Sequence, residues 1–466
     1  MKYDFDIAII GGGPGGYVAA IRAAQLGQKT VIIEREKLGG LCLNWGCIPT
    51  KAIIHSAELY SNLKHDALES GVTFEKLSFD YKKVIERSRD ISSKISKNIE
   101  LLIKKNKIDH ISGTAKFIDS NTVSVKVEGR ESVQNIKAKN IVIATGANNI
   151  SIPGLEVDGK NIISSYHALK ETVLPGSIVI VGAGAIGIEF AYIYNAFGVS
   201  VTIVEAFPSI LPLEDKEISE FLHKHLVKSG IKILTSTKLK SYVQKDGKLA
   251  ASIENGSKSE ISTDKILVAV GVTGNTKNLN LDAIGLEIQN GFIKVDRSNY
   301  RTNISNIYAV GDVVGAPCLA HVASAEGVTC IESIVGVKTK KVDYNKIPSA
   351  VYCNPQVASI GLTEEKARTN GYDIKIGKFP YMASGKAFAN GERSGFVKLI
   401  FDKKYDELIG AHIIGANASE LLGELSVAFS HEATSESVMR TIHAHPTLSE
   451  MIMEASANAN GESIHI

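Results

Sequence analysis

The chain has 466 residues, 44% hydrophobic and 22% charged, which suits a protein with substantial cores and about three domains on ordinary domain sizes. Its 52 Lys and Arg against 50 Asp and Glu leave a net charge of +2, excluding a whole-protein basic field that would make nucleic acid the main partner. Five cysteines, an odd number, exclude a secreted disulfide framework, and the N-terminal run to Asp6 carries acids without a signal-peptide core, so a cytoplasmic location is expected.

The first apolar run, Ile7 to Ile10, fits a buried parallel strand. A G-x-G-x-x-G turn follows at Gly11, Gly13 and Gly16, then a helical pattern closing at Gly27 and a second β-branched strand ending in Glu34. That order fits dinucleotide binding. The first glycine permits the tight turn, the second a close approach to pyrophosphate, and the third helix–strand packing. Free N–H groups at the helix start face the anion, and the acid eighteen residues beyond Gly16 suits a ribose hydroxyl.

Cys42 and Cys47 come next, five positions apart. On an unbroken helix their Cα atoms would lie roughly 8–9 Å apart, beyond disulfide reach. A bridge therefore needs a distortion, for which Gly46 is the natural place. A strained, accessible disulfide suits catalysis, and two unrelated thiols are the alternative at this point. Lys51 follows Cys47 by one helical turn, where an ammonium lowers a thiol pKa, although a surface lysine would fit the same position.

Ser61 to Lys107 reads as helical, with Ile and Leu recurring at three and four among charges, and Lys104-Lys105-Asn106-Lys107 as its solvated end. Thr114 to Val142 reads as a β-meander, and Ala144-Thr145-Gly146 as a turn after its last strand. Ile152-Pro153-Gly154 marks a crossing into a second domain. There the first pattern repeats over 24 residues, with Gly182, Gly184 and Gly187, a helix closing at Gly198, and a strand ending in Glu205. The near-uncharged stretch Ile178 to Val204 could span a bilayer by length, but its glycines and Glu189 divide it into strand, turn, helix and strand. Two units imply two dinucleotides, and Glu205 favours NAD over NADP because a carboxylate repels a 2′-phosphate.

Val268 to Gly271 predicts a return crossing, and Tyr308 to Asp312 a strand whose acid faces a ligand. A third domain is expected from about Val342, with short strands at Ala350 to Cys353, Phe396 to Phe401 and Leu408 to Ile414 and helices through Met453. Near its end stands His445, five residues before Glu450. Imidazole titrates near neutral pH, and a carboxylate on its far nitrogen would fix the tautomer. A structural histidine, or a weak metal pair with His443, is the plainer alternative.

These stretches resemble the flavoprotein disulfide reductases, most closely the members that oxidise dihydrolipoyl groups. The likeness covers nearly the whole length. It rests on Gly11 to Gly16, Cys42 to Lys51, Gly182 to Glu189, Gly311-Asp312, Ala350 to Gly361 and His443 to Glu450. It implies an α/β fold of two Rossmann-like dinucleotide-binding domains and a C-terminal α+β dimerisation domain. FAD would occupy 1–150, NAD 151–275, a central part 276–341, and the dimer interface 342–466. Cys42 would exchange with substrate and Cys47 would lie against the flavin, with Lys51 and Glu189 paired nearby. Glu34 would meet the adenosine ribose and Asp312 the flavin side. Gly113, Thr145, Gly146, Gly271 and Ala320 would add cofactor contacts. His445 and Glu450 would come from the partner subunit of a homodimer. The implied partners are lipoyl domains of an acyltransferase or a glycine-cleavage carrier, with no metal, nucleic acid or membrane span.

The alternatives are a sibling such as glutathione reductase, whose NADP-binding basic residues are missing near Glu205, and a non-catalytic flavin-binding protein. Two departures from the family pattern stand out: Trp45 between the cysteines, and Val272-Thr273-Gly274 where an Arg-bearing turn is common.

Overall fold

The computed structural model describes residues 2–129 and 132–466. Its contacts group into two units: Met1–Ala52 with Lys83–Ile150 and Gly271–Val342, and Ile53–Lys82 with Ser151–Val270 and Asp343–Ile466.

In the first unit the β-branched runs form a parallel sheet. Its strands lie in the order Asp109–Asp119, Thr30–Glu34, Phe5–Ile10, Val133–Ile143 and Ile307–Ala309. Two of these strands serve two sheets. Asp109 to Ser112 pairs in parallel with Val31 to Glu34, and from Gly113 the same strand turns antiparallel against Thr122–Val127. Val133 to Lys137 completes that meander before Ala138 to Ile143 joins Phe5–Ile10. The expected meander is therefore present, with residues 130 and 131 outside the described residues. Helix Pro14–Gln25 opens with proline at its start, where the missing N–H is harmless. It packs on helix Ala320–Val335 so closely that a Cβ on Gly327 would stand 2.6 Å from the Gly15 oxygen.

The second unit repeats the parallel arrangement in the order Lys232–Leu234, Ser200–Val204, Ser177–Val181, Lys265–Val268 and Ile162–Ile163. The stretch Ile178 to Val204 resolves into strand, glycine turn, helix Ala185–Ala196 and strand, and no described helix is long and apolar enough to cross a membrane. A separate antiparallel sheet runs Ser349–Val351, Gln356–Gly361, Leu408–Gly415, Phe396–Asp402 and Ile374–Pro380. Helices Ala418–Ser430 and Glu450–Ala459 pack their apolar faces onto it, burying Leu422, Leu425, Met451 and Ile452.

Lys398 on that sheet is only 1% exposed. Its ammonium lies 2.9 Å from Asp215, 2.9 Å from Glu217 and 2.8 Å from Glu364. Asp215 also caps helix Lys216–Lys228, accepting from the Glu217 N–H.

One expectation is corrected. Ser61 to Lys107 is not one helical run. Helix Cys47–His65 stops, and helix Tyr81–Lys105 starts afresh. Between them Gly71 adopts φ +75°, and the Val72-Thr73-Phe74 run has the β-branched residues that helices tolerate poorly.

Candidate active site

Both glycine turns fold as their spacing predicts. Gly11 sits at φ +108°, and a Cβ there would stand 2.2 Å from the Ala144 oxygen; at Gly16 it would stand 1.9 Å from the Gly11 oxygen. Gly182 sits at φ +103°, with a hypothetical Cβ 2.5 Å from the Ala269 oxygen, and one on Gly187 would reach the Gly182 oxygen at 2.0 Å. Gly13 and Gly184 each stand at the N-cap of a helix that no side chain caps. Nothing lies within 4 Å of where a Gly184 Cβ would be. An uncapped helix start behind a bare glycine leaves its N–H groups for an anion, which fits a dinucleotide pyrophosphate in both units.

The two acids are more engaged than the sequence suggests. Glu34 accepts from the Gly12 N–H at 2.6 Å and the Glu36 N–H at 2.8 Å. Glu205 does the same with Ala183 at 2.6 Å and Phe207 at 2.8 Å. Each carboxylate thus ties its glycine turn to the end of the next strand, and its oxygens keep lone pairs for a ribose hydroxyl.

The remaining cofactor candidates of the first unit take distinct places. Thr145 donates its hydroxyl to the Asn275 carbonyl at 2.9 Å, and the Asn275 side chain donates back to the Thr145 carbonyl at 2.8 Å. Gly146 at φ +70° and Gly271 at φ +118° occupy turns that favour glycine. Gly113 lies where the long strand changes sheets, and a Cβ there would stand 2.6 Å from the Lys126 oxygen. Val272–Gly274 forms a short strand against Ala147–Asn149. Ala320 opens helix Ala320–Val335. Asp312 lies in the turn Gly311–Val314, where burial pushes its carboxyl above the ordinary value. That turn is fastened by Glu326, which accepts the Gly311 N–H at 2.7 Å and pairs with Arg297 at 2.8 Å.

The cysteine segment breaks where the spacing requires. Helix Gly40–Trp45 ends at Gly46, and Cys47 begins the next helix. A Cβ on Gly46 would meet the Leu41 side chain at 2.9 Å and its oxygen at 3.1 Å. The break brings Cys42 and Cys47 into hydrogen-bond contact as thiols. That hydrogen bond, burial and the Cys47 charge push the Cys42 thiol up, against the opposing pull of Lys51. One thiolate is therefore accommodated more readily than two, the two thiols titrating as a pair.

In the second unit, His445 is 78% exposed and places Nδ1 2.9 Å from Glu450 Oε1. The other carboxylate oxygen accepts the Thr447 N–H at 2.8 Å. Burial opposes ionisation of Glu450, but Thr447, His445 and His443 together hold its carboxyl below the usual range. A carboxylate on Nδ1 keeps the ring proton there and turns Nε2 outward as the proton acceptor. His443 pairs instead with Glu424 at 2.7 Å. The two histidines therefore have separate carboxylates, and among the described residues no cluster of three or more metal-ligating side chains exists. Glu189, 4% exposed, accepts the Tyr352 N–H at 3.0 Å.

Sequence reasoning missed Asn275, Glu326, Arg297 and Glu424, whose partners are distant in sequence or carry no motif. It also missed Tyr17, whose phenol is pushed up by burial and then by the Cys42 charge.

The family described as pyridine nucleotide-disulphide oxidoreductase matches residues 5–327, and its dimerisation domain matches residues 347–456. A dihydrolipoyl dehydrogenase of Rhizobium etli is 46% identical, covering 100% of both chains. One from Zymomonas mobilis is 45% identical, also over 100% of both. The mitochondrial dihydrolipoyl dehydrogenase of Pisum sativum is 42% identical over 99% of this chain and 92% of its own. Among solved structures, LpdA from Mycobacterium tuberculosis superposes with a TM-score of 0.90 at 25% identity, covering 97% of this chain and 98% of that one. The HOCl-induced flavoprotein disulfide reductase RclA from Escherichia coli, as its Cu(II) complex, gives 0.87 at 26% identity over 98% and 99%.

Proposed function

Because the chain belongs to the pyridine nucleotide-disulphide oxidoreductase family, we propose that it oxidises dihydrolipoyl groups with NAD⁺ through a Cys42–Cys47 disulfide and FAD. The observation that carries this reading is the contact of Cys42 with Cys47 across the helix break, in a chain that matches dihydrolipoyl dehydrogenases end to end.

A dihydrolipoyl thiolate bonds to the Cys42 sulfur as the Cys42–Cys47 bond breaks, and the electron pair leaves on Cys47. The second substrate thiolate then displaces Cys42, closing the lipoyl disulfide. His445 Nε2 of the partner subunit takes the thiol proton and returns it to Cys42, while Glu450 stabilises the imidazolium. The proton-holding tendency of Cys42 suits it to that return, and Lys51 supplies a cation that favours thiolate. The first glycine turn and Glu34 would hold FAD, which when bound would supply the two-electron acceptor chemistry linking the dithiol to NAD⁺. The balance is one dithiol and one NAD⁺ converted to one disulfide, one NADH and one proton. The dimerisation domain supports a homodimer, and the partners are lipoyl domains of an acyltransferase or a glycine-cleavage carrier. The uncapped start of helix Ala185–Ala196 and the anchored Glu205 support NAD on the second unit.

The test is NAD⁺ reduction by the purified holoprotein with dihydrolipoamide, beside glutathione disulfide reduction with NADPH. Turnover with dihydrolipoamide, lost by at least about a thousandfold in Cys47→Ser, is expected from removal of an essential thiol. Efficient glutathione turnover with poor lipoamide turnover would move the substrate to a sibling enzyme.

A further inference from the structure

We propose that Arg89 is a positioning residue that holds the peptide between Cys42 and Cys47 and biases the pair toward its reduced form. This rests on the dithiol–disulfide cycle proposed above. The bridge peptide is Leu43 to Gly46: Asn44 and Trp45 close the last turn of helix Gly40–Trp45, and Gly46 alone separates it from the helix that Cys47 begins. Helix ends leave carbonyls without intrahelical donors. Arg89, on helix Tyr81–Lys105, donates to the Asn44 carbonyl and lays its guanidinium over the Trp45 ring, 3.9 Å from the ring centre. One side chain therefore holds the backbone of one intervening residue and the ring of the next. The Asn44 side chain is itself buried, donating to the Leu38 and Gly40 carbonyls at 3.1 and 3.0 Å.

The same helix holds both ends of the segment. Ser96 donates to the Leu38 carbonyl at 2.7 Å and Arg87 to the Ala52 carbonyl at 3.0 Å. The cysteine pair is thus carried on a stretch fastened at three carbonyls by one helix.

Two consequences follow for the redox equilibrium. Disulfide closure draws the sulfurs to about 2.05 Å, so the bridge peptide must adjust, and a clamped peptide resists that adjustment. The clamp also grips two adjacent residues of the bridge peptide, so Asn44 and Trp45 must shift together when the sulfurs close. Arg89 acts on the cysteines through Asn44 and Trp45. The planar stack explains why lysine is a poor substitute.

The test is the thiol–disulfide equilibrium of the holoprotein in dithiothreitol buffers, read by alkylation and mass spectrometry of Cys42 and Cys47. Arg89→Met should shift the equilibrium three- to tenfold toward the disulfide, a tenfold shift being about 30 mV for a two-electron couple. Arg89→Lys should recover part of the shift. Flavin content and thermal transition should stay those of the wild type. An equilibrium constant within twofold of wild type in a folded Arg89→Met protein would overturn the proposal. Should that variant fail to accumulate, Trp45→Val makes the same comparison, with a shift of at least about threefold expected from loss of the stack and no shift again overturning it. A wild-type pair that never titrates between dithiol and disulfide would instead remove the function from which the proposal starts.

Discussion

Replacing Glu450 with glutamine should disable proton transfer at His445 by changing which ring nitrogen carries the proton. In the native arrangement one carboxylate oxygen accepts the Thr447 N–H at 2.8 Å and the other faces His445 Nδ1 at 2.9 Å. A glutamine must keep its single oxygen toward Thr447, because an amide NH₂ there would confront an N–H donor. Its NH₂ then points at Nδ1, which must become the acceptor, and the ring proton moves to Nε2. A base with its acceptor nitrogen already protonated cannot take a substrate proton. The corresponding tautomer error in a triad, together with typical general-base contributions, implies a loss of about a hundred- to ten-thousandfold in kcat. At 1.36 kcal/mol per tenfold, that is about 3–5 kcal/mol of transition-state stabilisation. The KM for dihydrolipoamide should change little, since Glu450 acts through the ring rather than on substrate. Steady-state NAD⁺ reduction gives the kcat and KM split, and ¹⁵N chemical shifts of His445 report the tautomer. A Glu450→Gln enzyme with kcat within fivefold of wild type, or with the proton still on Nδ1, would refute the reasoning.

Lys398→Met should be severely destabilising because it strands Asp215, while Glu217 keeps Lys378 and Glu364 keeps Arg368. Removing one partner of a buried ion pair costs about 3–5 kcal/mol, and Lys398→Met/Asp215→Asn should recover at least half of that in urea unfolding followed by circular dichroism. Burial opposes ionisation of Asp215, but His412, Lys398 and the Glu364 N–H outweigh it and hold its carboxyl below the ordinary value. A depressed folded value means the stabilisation is complete above the unfolded pKa of about 4 and fades as pH falls through the folded value. The gap between wild type and Lys398→Met should therefore be flat from about pH 8 to 5 and narrow only in stronger acid. Gly187→Ala places a methyl 2.0 Å from the Gly182 oxygen, so the KM for NAD⁺ should rise at least about tenfold while anaerobic titration of the cysteine pair is unchanged. An unaltered NAD⁺ KM would show that the turn tolerates the methyl.

What the sequence made legible is what short-range chemistry dictates. The glycine turns are readable because only glycine fits backbones that approach within 2.0–2.5 Å of a virtual Cβ at Gly182 and Gly187. The helix break at Gly46 is readable because five residues of unbroken helix would hold two sulfurs apart. The interruption between His65 and Tyr81 was hidden by apolar residues at helical spacing on both sides of it. The Lys398 cluster was hidden for another reason. Its ammonium meets Asp215 across 183 positions, and nothing local distinguishes that lysine from one on a surface strand. The same distance effect conceals Arg89, whose partners lie on a different helix.

The twin anchoring of Glu34 and Glu205 has a bearing on nucleotide affinity. A flexible carboxylate must be immobilised when it captures a sugar hydroxyl, which costs about 0.5–1.5 kcal/mol per ordered side chain. Here each acid is fixed by two backbone donors at 2.6 and 2.8 Å. Incoming ribose would meet a preorganised acceptor in both units and incur little of that entropic penalty. In the second unit the same rigidity would leave the Glu205 carboxylate little freedom to swing away from a 2′-phosphate, so discrimination between the two nicotinamide dinucleotides would be a property of the backbone as much as of the acid itself.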